Sequence, residues 1–141
     1  MWFIYAMVAA VLWGINYSLA EKIGERVSLI SVLALEMVVG SVFVCTFAYF
    51  TTLKTDLATL WANPPLLRLT LIEILVVVIA NMAIMASIQS KNATSAGLIE
   101  LSYPLFTILF TWFLFHEHHL NMPIIVGSVF IALGVVCVGL S

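Results

Sequence analysis

Three glutamates, Glu36, Glu73 and Glu100, lie inside long apolar runs of this 141-residue chain. Hydrocarbon penalises the charged form of a carboxylate, so such a group can hold a proton in one step and a cation in the next. Glu100 has the most developed surroundings. It sits in TSAGLIELSYPLFTILFTWFLF, Thr94 to Phe115. Wound as a helix at about 100° per residue, this segment puts Glu100, Pro104, Thr107 and Thr111 on one stripe, with Gly97 a turn earlier. The rest of the circumference is Leu, Ile, Phe and Trp. Lipid can face that side, whereas the stripe must look onto protein or a wet cavity. Pro104 has no N–H to give the Glu100 carbonyl, so polar backbone is expected beside the carboxylate at a helix kink. Two readings stand: a residue that exchanges protons or binds substrate, and a buried acid satisfied by a neighbouring helix.

The other candidates are placed by the same winding. Glu36 lies roughly 10 Å into its apolar run, on the side that carries Gly40, Phe43 and Phe47. Those aromatics either line a site or pack against a neighbour. Glu73 and Asn81 are about 80° apart around their helix, so one cavity can see both. Asn16 shares a face with Tyr5, Ala9 and Ala20, with Trp13 at its edge. It is a candidate polar contact, or interhelical glue. His116, Glu117, His118 and His119 invite a metal reading. A polar loop after an apolar helix explains them more simply, and no metal site is expected.

The elements that must hold these residues follow from composition. The chain is 64% hydrophobic and 9% charged. A soluble domain is roughly one quarter charged, so the chain belongs in a bilayer. Its length leaves room for about five spans, expected at 2–20, 29–50, 64–89, 94–115 and 122–140. The first run is too long for a signal-peptide core and has no basic segment ahead of it, so it reads as a retained span. Glu21 to Arg26 reads as a solvated loop, and Thr51 to Asn63 as the longest loop, held at the interface by Trp61. Asn63 followed by Pro64 predicts a capped helix start. In the fifth span, Gly127 and Gly134 are seven apart in an uncharged run, which predicts close packing between two copies. Cys45 and Cys137 sit in apolar runs, which argues against a disulfide scaffold or a zinc site. The net charge of −2 argues against a nucleic-acid partner.

Several stretches resemble one known family. WGINYSLAEK, Trp13 to Lys22, is similar to the Trp-Gly-x-Asn signature in the first helix of the drug/metabolite transporter superfamily. Ala93 through Leu101-Ser102-Tyr103-Pro104-Leu105-Phe106 to Glu117 resembles the fourth helix of its EamA domains, and Val126-Gly127 to Gly134-Val135 the fifth. The likeness covers essentially the whole chain in order. It implies an all-α membrane protein of five transmembrane helices, one EamA-like domain over 1–141, half of a ten-helix inverted-repeat architecture. Tyr103 joins the candidate substrate or proton-binding residues beside Glu100, Glu36, Glu73, Asn81, Asn16, Trp13 and Thr107. Two features depart from better-known relatives. The commonest members carry two such domains, and small multidrug resistance transporters place a glutamate within the first helix, where this chain has none.

Five spans put the two ends of the chain on opposite sides. Lys54 and Arg68 then face Lys22, Arg26 and Lys91, almost no positive-inside bias. Both insertions are open to such a chain, and two copies of opposite orientation would supply the inverted pair. The expected function is secondary transport of a small molecule by an antiparallel dimer, coupled to protons through buried carboxylates. The alternative is an accessory subunit, or one half of an obligate heteromeric transporter or flippase. No enzyme is expected, since no nucleophile–base pair or recognisable catalytic spacing is present. No cofactor is expected, and without an ATP-binding motif any pumping would draw on an ion gradient. The expected setting is a bacterial or archaeal cytoplasmic membrane.

Overall fold

The computed structural model describes residues 1–117 and 120–140. Among the described residues seven helices follow one another: α1 (Trp2–Gly24), α2 (Leu29–Thr51), α3 (Leu53–Ala62), α4 (Pro64–Ser90), α5 (Ala93–Glu100), α6 (Tyr103–Phe115) and α7 (Met122–Gly139). Five stretches are long and apolar enough to cross a membrane: α1, α2, α4, α5 with α6, and α7. The all-α, five-span architecture expected from the apolar runs is the one observed.

Local chemistry sets the helix starts. Asn63 Oδ1 accepts from Leu66 N at 3.2 Å, with Pro64 at the first helical position, the cap predicted from the sequence. Asn121 and Asn92 cap α7 and α5 in the same way, accepting from Ile124 N at 3.0 Å and Ser95 N at 2.7 Å.

Three stretches differ from the sequence expectation. Glu21 to Gly24 continue α1 as helix instead of forming a loop. Lys22 Nζ meets both oxygens of Glu25 at 2.9 Å across that helix end, so charge there is compatible with helix. The expected loop after the second span is largely the ten-residue α3. Its Leu53, Leu57, Leu60 and Trp61 recur at helical spacing, although the segment is too short to form a helix unaided. Finally, the fourth span, expected as one kinked helix, is divided into α5 and α6. At Leu101 and Ser102 the bonding tightens, with Ser102 N to Ile99 O and Leu105 N to Ser102 O, each 3.0 Å. These i to i−3 bonds carry the chain past Pro104, which has no N–H to give.

The buried residues gather at one end. Ala20, Leu29, Leu33, Met85, Ile88, Ala93 and Ala96 form one cluster. They come from the last turn of α1, the first turns of α2, the last turns of α4 and the start of α5. Alanines let these backbones approach closely. No described residue of α3, α6 or α7 is buried.

Candidate functional site

Just beyond that packed cluster lies a polar layer. Tyr17 is seven residues in from Gly24, Glu36 seven from Leu29, and Glu100 seven from Ala93. Each is therefore about 10 Å from the same end of the bundle at 1.5 Å per residue. Two side-chain contacts join the layer, and both are made by α1. Tyr17 Oη donates to Glu100 Oε2 at 2.5 Å, and Asn16 Nδ2 donates to Glu36 Oε1 at 3.4 Å. Consecutive residues of one helix point about 100° apart, so Asn16 reaches α2 while Tyr17 reaches α5. The first contact is short and bears on a half-buried carboxylate, where a charge-assisted bond is strong. The second is long. Asn16 Oδ1 is buried and takes no hydrogen bond.

Tyr17 was not among the residues expected to matter. Its ring lies beside Trp13, with centroids 5.5 Å apart. On the other side it abuts Gly97, where an added Cβ would sit 3.4 Å from the ring. The phenol thus lies across α5 at Gly97 and reaches Glu100 a turn later. A cleft of about 310 Å³ opens beside it, with Ser18, Thr94 and Gly97 on its walls. The available signal was its place next to Asn16 and one turn after Trp13. The pairing with a residue 83 positions away is tertiary and had no local trace.

The remaining candidates are distributed differently. Glu73 is exposed on α4 and makes no hydrogen bond among the described residues. Asn81 Nδ2 turns back to Val77 O of its own helix at 2.8 Å. Neither joins the layer on α1. The stripe expected through Glu100 divides at the helix break. Glu100 goes to α1, whereas Tyr103, Pro104 and Thr107 line a cleft of about 440 Å³ against Ile124, Gly127 and Ser128 of α7. Thr107 Oγ1 donates to Tyr103 O at 3.0 Å. Gly127 and Gly134 have nothing within 4 Å of an added Cβ, so neither packs tightly inside this chain. His116 ends α6 in a left-handed cap, φ 56°. His118 and His119 lie outside the described residues, and with them most of the histidine run weighed as a metal site.

Chemically, the layer can hold two carboxylates in either protonation state. A phenol and an amide both donate and accept. Each can give a hydrogen bond to a carboxylate or take one from the acid.

Comparison with known proteins bears on all of this. Residues 1–140 match the EamA-like transporter family. The chain is 25% identical over 126 residues to an uncharacterized transporter, YvbV, of Bacillus subtilis (strain 168). That alignment covers 89% of this chain and 40% of the relative, so the chain spans well under half the length of the curated protein it matches. No solved structure matches. With its five apolar helices and the family match over almost every residue, this chain is a multi-pass membrane protein that belongs to the EamA-like transporter family.

Proposed function

We propose that the chain is one half of a secondary transporter for a small molecule in a bacterial or archaeal cytoplasmic membrane. Two copies of opposite orientation, or one copy and a homologous half, make the working unit. Proton exchange at Glu100, supported by Glu36, couples transport to the gradient. The observation that carries this reading is the pair Asn16–Tyr17, which holds carboxylates of two different helices at one depth. In the resting arrangement the Tyr17 hydroxyl donates to the Glu100 carboxylate. On protonation Glu100 donates instead, and the phenol turns its proton away to accept. Turning the Asn16 amide over presents Oδ1, now without a partner, to a protonated Glu36. A cationic substrate competes with these protons for the same oxygens.

Support for this assembly comes from the odd span count, the near balance of Lys22, Arg26 and Lys91 against Lys54 and Arg68, and the uncovered glycines of α7. A relative more than twice as long is consistent with a second half being required. In an inverted pair, Glu73 of one copy falls on the side of Glu36 and Glu100 of the other. Adding two lysines to the segment around α3 is expected to fix one orientation and reduce transport, and a copy biased the other way restores it. A wild-type chain inserted in only one orientation, yet active alone, would overturn the antiparallel pair. The same uncovered α7 face favours the second reading, a partner chain of similar length, if activity appears only on coexpression.

The direct test is purified protein in proteoliposomes under an imposed pH gradient, offered a panel of labelled amino acids, nucleosides and quaternary and primary amines. Accumulation of one class above the pH-equilibrated control is expected. Accumulation of none, by protein verified as folded and paired with either orientation, would sink the transport reading.

A further inference from the structure

We propose that the packed end of the bundle is a latch that closes one mouth of the pathway, held by two side chains that cap helices other than their own. This rests on the transport reading above and assigns to the same site the device that shuts it on one side. Glu21 Oε2, in the last turn of α1, accepts from Ala93 N, the first residue of α5, at 2.7 Å. Gln89 Oε1, in the last turn of α4, accepts from Leu29 N, the first residue of α2, at 3.1 Å. Both N–H groups belong to helix starts, which lack intrahelical partners. Ser28 precedes α2 but makes no side-chain cap, so Gln89 supplies from α4 what the local sequence does not.

The two bonds tie four helices in pairs, α1 to α5 and α4 to α2. The same end holds the most enclosed side chains among the described residues, Leu29, Met85 and Ile88, at 0%, 1% and 2% exposure. The carboxylate layer sits directly above this plug. Past the layer, towards the other end, no described residue is buried. The carboxylates are thus screened from one membrane face and open towards the other. A carrier has to present them to both, so the plug has to part.

Its construction suits that task. Helices in lipid gain no hydrophobic free energy from one another, so the closed state depends on close packing and on the caps. The caps lie at the membrane edge, where water can replace Glu21 and Gln89 as acceptors when the helices separate. Opening then strands no backbone N–H in hydrocarbon.

The experiment uses spin-label pairs in the whole protein, in lipid nanodiscs, with labelled copies diluted by unlabelled ones and Cys45 and Cys137 replaced by Ala. One pair, Arg26→Cys with Lys91→Cys, spans the latch. The other, Thr52→Cys with Met122→Cys, spans the open end. Electron–electron distance measurements are expected to give one population at the latch in the parent protein. Glu21→Ala combined with Gln89→Ala is expected to add a longer-distance population, raised several-fold, while the open-end pair keeps a defined distance. Glu21→Gln retains an acceptor for Ala93 N and is expected to behave as the parent. Should the double variant fail to fold, Glu21→Ala against Glu21→Gln carries the same comparison. One unchanged latch distance in every variant overturns the proposal, and so does parallel broadening of both pairs, which marks general loosening. Transport with an invariant latch distance removes the latch alone. A latch that opens in a protein that carries nothing removes the transport reading alone.

Discussion

At one end of the bundle Leu29, Met85 and Ile88 are almost wholly enclosed; at the other, Phe43, Phe47, Phe50 and Phe113 are all more than two-thirds exposed. Both ends are apolar, so hydrophobicity does not separate them. Residue size and backbone capping do. The packed end brings Ala20, Ala93 and Ala96 to the contact and fastens it with Glu21 and Gln89. The open end carries rings that face outward and pack little against neighbouring helices. In lipid, where apolar surface alone gives no reason to associate, shape and polar bonds decide where helices meet. The carboxylate layer lies at the boundary between the two regimes, with a closed floor beneath it and room above.

Four sets of variants can break or sharpen this contrast. The largest effect is expected at the boundary itself. Glu100→Gln keeps shape and hydrogen bonding but cannot exchange a proton, so gradient-driven accumulation in proteoliposomes should be lost outright, with passive exchange retained. Glu73→Gln, away from the layer, serves as control in the same assay. Full accumulation by Glu100→Gln would take this residue out of the coupling and leave Glu36 to carry it. Next comes a matched pair of truncations, read by thermal unfolding in lipid. Leu29→Ala, inside the plug, should fall near the lower part of the roughly 2–5 kcal/mol typical of buried Leu→Ala changes, because lipid removes the transfer contribution and leaves the cavity. Leu133→Ala, 57% exposed on α7, should change stability by under about 0.5 kcal/mol. Equal losses would erase the distinction between the ends.

Tyr17→Phe deletes one hydroxyl and leaves the ring over Gly97. It should cost about 0.5–1.5 kcal/mol, since Glu100 is half-buried and water can partly replace the lost donor, and should slow accumulation less than Glu100→Gln does. A variant with parental stability and rate would show that the Tyr17–Glu100 bond holds nothing. The smallest effect on stability is expected for Gly127→Leu with Gly134→Leu, since an added Cβ at either position meets no described atom of another element within 4 Å. Crosslinking between copies should nonetheless fall. Unchanged crosslinking would move the contact off this face of α7.

The five spans were legible because each is a long apolar run, and a bilayer rewards such runs regardless of what they pack against. The start of α4 was legible for a local reason, Asn63 before Pro64. The short α3 was not, because ten residues of mixed character are too few to form a helix unaided. The overrun of α1 was hidden by charge: Glu21 to Gly24 read as a solvated loop, yet Glu21 is spent on the α5 start. In the site, Glu36, Glu100 and Asn16 stand out in a sequence as polar groups in apolar surroundings. Tyr17 does not, since a tyrosine near a helix end is unremarkable until its partner is known. Gln89 is invisible for the same reason. Its acceptor role depends on Leu29 N, 60 residues earlier.

One crossing helix is longer than the hydrocarbon it crosses. α4 has 27 residues, about 40 Å at 1.5 Å per residue, against a hydrocarbon layer about 30 Å thick. The excess is taken up by tilt, or by carrying the first turns with Arg68 into the headgroups. A thicker bilayer is therefore expected to draw α4 upright and a thinner one to lean it further, so the slope of this helix follows the membrane in which the chain sits.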